Sequence, residues 1–293
     1  MDEDNDALAV WLPTHSRTDD NYTQGLRAQF EINPPSWANQ LSSNSPLCRL
    51  DLDPGATCRT ASLHVGQQLF TPSSLADPPP ANERPYAAWL YIGLAEHASK
   101  PHELRMLGVD FGVTGPPALG GPEQNAFHKL ADVGAPRAGW SYQIGFQPGI
   151  ILSYETRYLL PVGSSELVQV TPRWSVYAGN IQTGLVGGLT VRLGYHMVHP
   201  WRPLDDEAHP WSVYALLDGE GRSVAVNLLL DGAGSSDPHV RKLPFTSRYS
   251  VGVGMRIRGL FFEFRGVTQG QEYAGGPRAH RWGTFSTGVG MPL

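Results

Sequence analysis

The chain has 293 residues, with 22 Lys and Arg against 27 Asp and Glu, and its net charge of −5 gives no general attraction to nucleic acid. It is richer in glycine and proline (33 and 25) and, at 17% charged residues, poorer in charge than an average soluble domain. Hydrophobic content is 41%, and no apolar run approaches the roughly 18 residues that a transmembrane helix needs; this excludes a helical membrane protein but not a β-barrel, whose strands alternate two faces.

The opening stretch MDEDNDALAV has neither a positive n-region nor an apolar h-region. Either the protein is not exported, or Met1 is an initiator placed before a mature sequence. A first strand is expected over 3–12. In the second, YTQGLRAQFEI, Tyr22, Leu26, Ala28, Phe30 and Ile32 alternate with Thr23, Gly25, Arg27, Gln29 and Glu31, the period of a half-buried strand. The connection that follows holds the chain's two cysteines, Cys48 and Cys58, in SPLCRLDLDPGATC. Two cysteines closing a short loop suit an oxidising compartment and suggest one disulfide, with two unpaired thiols as the alternative.

Further strands are expected over 59–70, 86–96 and 103–114. The pattern then breaks at GPEQNAFHKLADVGAPRAGW, residues 121–140, where good helix formers replace the alternation and place Gln124 and His128 four residues apart, on one helix face. Strands resume over 140–158, 166–178, 184–196, 211–227, 245–258, 260–269 and 281–293. In YSVGVGMRIRG the alternation is strict, with Tyr249, Val251, Val253, Met255 and Ile257 opposite Ser250, Gly252, Gly254, Arg256 and Arg258. In GLVGGLTVRLGY, Leu185, Leu189, Val191, Leu193 and Tyr195 stand against Val186, Gly188, Thr190 and Arg192.

About twelve strands result, an even number that allows an antiparallel sheet to close and remove its edges. One face carries aromatic and aliphatic residues and the other carries glycines and charges, as in a barrel with lipid outside and a polar lumen. A soluble sandwich or barrel would turn the apolar face inward. The expected fold is all-β: a single-domain antiparallel transmembrane β-barrel over 1–293, with a short helix in an extracellular loop. With a periplasmic N-terminus, connections after odd strands face outward, and the helix falls in the longest of them. Tyr22, Leu26, Phe30, Tyr249, Val251 and Val253 should face lipid, and Thr23, Arg27 and Arg256 the lumen.

The motifs NDALAVW, TDDNYTQG, GQQLFTPSSL, ERPYAAWLYIGL, GPEQNAFH, GWSYQI and GNIQTGLVGGLTVRLG stand in an order and spacing that resembles the lipid A 3′-O-deacylase family of Gram-negative outer membranes. The resemblance covers about two thirds of the chain, Asn5 to Gly194; beyond it lie generic barrel strands. It implies a monomeric outer-membrane enzyme, dependent on Ca²⁺, that hydrolyses an ester of lipid A or lipopolysaccharide between the barrel wall and a loop helix. His128 matches the family's catalytic histidine, a general base whose ordinary pKa keeps the neutral imidazole available near neutral pH. Gln124 would orient the imidazole or the substrate. Asn5 and Asp6 match a paired Asn-Asp, with Asp6 suited to Ca²⁺, which takes six to eight oxygens. Successive strand residues face opposite ways, so a bulge or main-chain participation is expected there. Thr23 matches a threonine of the active-site wall. Arg84 and Tyr86 would meet the substrate at the outer rim, the guanidinium gripping a phosphate, with a rim ion pair as the alternative for Arg84.

Two departures stand out. The Asp-Arg that often precedes the Tyr-Thr pair is here Asp19-Asp20, removing a positive charge expected near the site. The chain ends in Leu293 rather than an aromatic residue. The competing functions are a pore lined by Arg27, Arg192, Arg256 and Arg265, and a soluble β-barrel binding protein.

Overall fold

A computed structural model describes residues 1–5, 8, 21–32, 57–131, 137–162, 167–201 and 209–290. Twelve strands follow one another around a closed barrel: β1 (Asp2–Asn5), β2 (Asn21–Ile32), β3 (Thr57–Thr71), β4 (Ala87–Lys100), β5 (Glu103–Thr114), β6 (Pro148–Tyr158), β7 (Val168–Gly179), β8 (Gln182–Tyr195), β9 (Trp211–Asn227), β10 (Phe245–Ile257), β11 (Leu260–Gly270) and β12 (Ala279–Val289). Each pairs antiparallel with its chain neighbours, and β1 closes the ring against β12 in the register Asp2↔Ser286 to Asn5↔Gly283. Closure gives every described strand a partner on both sides, a condition for placing strands in hydrocarbon. Helix α1 (Gly120–Ala131) interrupts the β5–β6 connection, and a short helix α2 (Leu228–Asp231) follows β9.

The apolar face points outward. Phe30, Leu217, Tyr249, Val251 and Val253 are each about 60% exposed in the isolated chain, the arrangement expected for side chains that contact lipid. Inside, Arg173 binds Asp218 at 2.6 Å and Glu220 at 2.8 Å, and Thr190 donates to Asp218 at 2.6 Å. Tyr214 donates to Glu263, which also pairs with Arg265. Arg256 is buried and donates to the carbonyls of Arg258 and His209. These groups satisfy one another across the lumen. Lumen glycines make room for the large polar partners: a Cβ on Gly93 would lie 2.1 Å from Asp110 Oδ1 and 2.2 Å from His64 Nε2, the two ends of a 2.6 Å hydrogen bond.

One end of the lumen is closed by an apolar plug. Leu229 of α2 is fully buried and packs with Phe70, Trp89, Ile144, Ile151 and Ile181, so three connections and three strands share this core. Asp237 ties the α2 loop to the α1 loop by accepting from the backbone N–H of Gly145 at 2.8 Å and of Ala233 at 3.0 Å.

Three expectations need correction. Tyr22 faces the lumen, not lipid: its ring packs on Phe70 and Trp282, and its hydroxyl donates to Asp4 at 2.8 Å. The cause is a β-bulge, since Tyr22 pairs with Phe70 and Gln24 with Leu69, leaving Thr23 as the extra residue. Such an insertion shifts the alternation by one position. Thr23 is correspondingly not a lumen residue: it bonds Thr71, which follows lumen-facing Phe70 and so belongs to the outer face. Finally, β6 begins at Pro148, because residues Ala138–Tyr142 form a 3-10 turn. Cys48 lies outside the described residues and Cys58 is described in its backbone alone.

Candidate active site

Helix α1 lies against the outer face of the wall at the plugged end of the barrel. Its entry is set by Pro116–Ala118, a 3-10 turn that ends at Leu119 in the left-handed region (φ 61°) and redirects the chain into Gly120. Gly121, Gln124 and His128 form its buried face, and Pro122, Ala126 and Lys129 its exposed one. Close approach depends on glycine: a Cβ on Gly120 would stand 2.5 Å from Trp140 and 2.7 Å from Ala88 of β4. Beneath it, Leu69, Tyr86, Ala88, Ala118 and Trp140 pack into a second apolar cluster, distinct from the lumen plug. The stretch QLFTP is therefore buried on both sides: Leu69 supports the loop outside and Phe70 the plug inside.

Polar contacts fix the helix beside this cluster. Gln24 Nε2 donates to Glu123 Oε1 at 3.2 Å, and Gln67 Nε2 donates to the carbonyl of Ala118 at 2.6 Å. Burial pushes the Glu123 carboxyl above its usual range, opposed by its hydrogen bond with Gln67. The returning chain is fastened by the backbone N–H of Arg137, which donates to Asn125 Oδ1 at 2.8 Å.

The central contact joins Trp140 Nε1 to Gln124 Oε1 at 2.7 Å, wholly buried. An indole N–H only donates, so the acceptor must be the Gln124 carbonyl oxygen, and the amide orientation follows from chemistry. The two amide protons then point away from Trp140. His128, 6% exposed, lies one turn along on the same face.

The wall opposite carries the other sequence candidates. Asn5 is buried at the end of β1 and is the register partner of Gln24, so it shares that residue's outer face. The β-bulge adds Thr23 to the same side, where its hydroxyl and that of Thr71 are 2.8 Å apart. Gln24, bonded to Glu123, thus links the outer face that carries Asn5 and Thr23 to the helix whose buried face carries Gln124 and His128. Asp6 lies outside the described residues. Tyr86 supports the site from below: it is buried, packs on Trp140 and accepts from the N–H of Ile144 through its carbonyl. Arg84 is placed on the other side of the wall, buried over the ring of Phe70 and 3.2 Å from Glu272.

Gln24, Gln67, Glu123 and Trp140 were not among the sequence candidates. Gln24 lies on the outer face by plain alternation with Leu26, but its partner Glu123 is 99 residues away in the chain, and the bulge brings Thr23 to the same face. Trp140 is sixteen residues from Gln124, a pairing that no local periodicity reveals.

The family model described as outer membrane protein LpxR matches residues 1–291. Among solved structures, LpxR from Salmonella typhimurium superposes with a TM-score of 0.76 at 19% sequence identity, covering 98% of each chain. No curated protein matches the sequence. A family match over nearly the whole length, on a closed barrel with an apolar exterior and a charged, plugged lumen, makes this chain a member of the LpxR family and a multi-pass β-barrel of the Gram-negative outer membrane.

Proposed function

We propose that the protein is a lipid A deacylase that hydrolyses the 3′-O-linked acyloxyacyl ester of lipid A or lipopolysaccharide at the interface between α1 and the barrel wall. The observation that supports this reading is the burial of Gln124 and His128 on a helix tied by Glu123 to Gln24, on the wall face shared by Asn5 and Thr23, with Trp140 setting the Gln124 amide. His128 in its neutral form takes a proton from water as that water attacks the ester carbonyl. The carbonyl carbon to sugar oxygen bond then breaks, and the imidazolium returns the proton to the departing sugar oxygen, releasing a free acyloxyacyl acid. Gln124, its amide protons directed away from Trp140, holds the imidazole or the substrate in place for this transfer.

Calcium fits this wall by the nature of its donors. Asn5 and Thr23 offer the neutral oxygens that a hard cation accepts. Asp6, with Asn5 and Thr23, would hold it. When bound, the ion supplies a positive charge that polarises the ester carbonyl. Arg84 is the substrate contact least supported by its surroundings, since Glu272 already engages its guanidinium; Tyr86 contributes as the floor on which Trp140 rests.

The test is mass spectrometry of lipid A treated with purified protein in calcium-containing detergent. Loss of the 3′ acyloxyacyl unit is expected from the wild type, and a rate lower by about 10²–10⁴ from His128→Ala and His128→Asn, with normal heat-modifiable migration. Asp6→Ala should be partly rescued by excess Ca²⁺, and chelation should silence the wild type. An unchanged lipid A spectrum, or full activity in His128→Ala, would overturn the assignment.

A further inference from the structure

The wall beneath α1 differs in character from one side to the other. Towards β1–β3 its outer face offers Asn5, Thr23, Gln24 and Gln67. Towards β4–β6 it is apolar. Leu90 and Val113 are cross-strand partners half-buried against the cluster under α1. Two residues along β5 from Val113, Phe111 pairs with Ile150, and the two are 51% and 38% exposed. Phe146, two residues before Pro148, continues the column past the end of β6 and is 56% exposed; Leu119, immediately before α1, is 53% exposed. Gly115 brings the two loop segments together, since a Cβ there would stand 2.7 Å from the Phe146 nitrogen.

This apolar column is continuous with the lipid-facing belt: Ile92, Leu94 and Leu152 lie further down the same outer face. A surface continuous with the belt at one end and with the floor of the α1 site at the other suits a ligand that is apolar over most of its length and polar at one end.

Building on the functional reading above, we infer that the acyl chain of a lipid ester docks along Leu90, Val113, Phe111, Ile150, Phe146 and Leu119, leaving the site over β4–β6, while the ester lies towards β1–β3. The juxtaposition is an apolar ramp rising out of the membrane belt to the polar interface that holds His128. A chain moving along it stays in contact with apolar surface from leaflet to site, and its hydrocarbon is not exposed to water on the way.

The experiment uses the full-length His128→Ala protein in phospholipid vesicles, with two photoactivatable probes: a lipid A analogue carrying a diazirine on its 3′ acyl chain, and a phosphatidylcholine with the same diazirine. Both label the belt, but the lipid A probe should be enriched at peptides spanning 90–113 and 146–150 by about tenfold, the worth of roughly two methylenes held against the wall. In the wild-type background, Val113→Trp should raise KM for long-chain lipid A by about tenfold while leaving kcat within about twofold, and Val251→Trp, on the lipid face of β10, should change neither. Equal labelling by the two probes around the barrel, or enrichment at β1 and β12, would overturn the route. Turnover by His128→Ala would instead sink the catalytic reading and leave the label distribution as it was, so the two failures are distinguishable.

Discussion

At the residue scale, the site depends on a tryptophan that touches no reacting atom. Trp140 fills the space left by Gly120 and Gly121 and also donates to Gln124, so it acts as both spacer and orienter. The two roles can be separated. Trp140→Phe keeps most of the ring and removes the N–H, leaving the Gln124 oxygen buried without that donor, at about 1–3 kcal/mol. The amide loses the donor that sets its orientation, and kcat should fall about tenfold or more with little change in KM. Trp140→Ala also removes the packing, about 3–5 kcal/mol for a buried aromatic, and should release the loop as well. Steady-state kinetics beside limited proteolysis checks both, and a Trp140→Phe enzyme with unchanged kcat would show that the amide is fixed by other means.

At the element scale, α1 is held to the wall by an apolar cluster on one flank and by glutamines on the other. Neither flank reads as helix stabilisation in the sequence, and the helix itself is short and glycine-led, so its order comes from tertiary contacts. The double variant Gln24→Ala with Gln67→Ala removes both glutamine contacts while leaving the apolar cluster and the sheet hydrogen bonds intact. Cleavage by a protease within 120–131 should become about tenfold or more faster, the worth of two ordinary hydrogen bonds, with the heat-modifiable shift of the barrel unchanged. Protection of that segment at the wild-type level would place the anchoring entirely in the cluster of Leu69, Tyr86, Ala88, Ala118 and Trp140.

At the scale of the whole molecule, the lumen is a set of mutually dependent charges beneath an apolar plug. Arg173 is shared between Asp218 and Glu220, so Arg173→Ala leaves two carboxylates without their strongest partner. Loss of one member of a buried pair costs about 3–5 kcal/mol, and the urea midpoint for unfolding from detergent micelles should fall accordingly. Replacing lipid-facing Val251 with another apolar residue should leave that midpoint nearly unchanged. The plug of Leu229, Ile144, Ile181 and Trp89 argues against a pore. In planar bilayers the protein should show no steady conductance, and a sustained open level would revive the pore as a second function.

The sequence by itself determined the architecture because period-2 alternation is a local property: each strand's own pattern states which residues meet lipid and which meet the lumen, and an even count of such strands implies closure. It also marked the helix, since 121–131 breaks that period, and it put Gln124 and His128 on one face because their spacing matches the helical repeat. Only the tertiary structure decided what that face meets. The bulge at Thr23 is one extra residue in a ladder, visible only against the partner strand, and it sends Tyr22 into the lumen and Thr23 to the outer side beside Gln24. Arg84 presents the same kind of ambiguity, since its place above Phe70 and beside Glu272 depends on a loop 188 residues away in the chain. Local pattern fixes the face of a regular strand; where a bulge or a distant loop intervenes, the partner supplies the missing information.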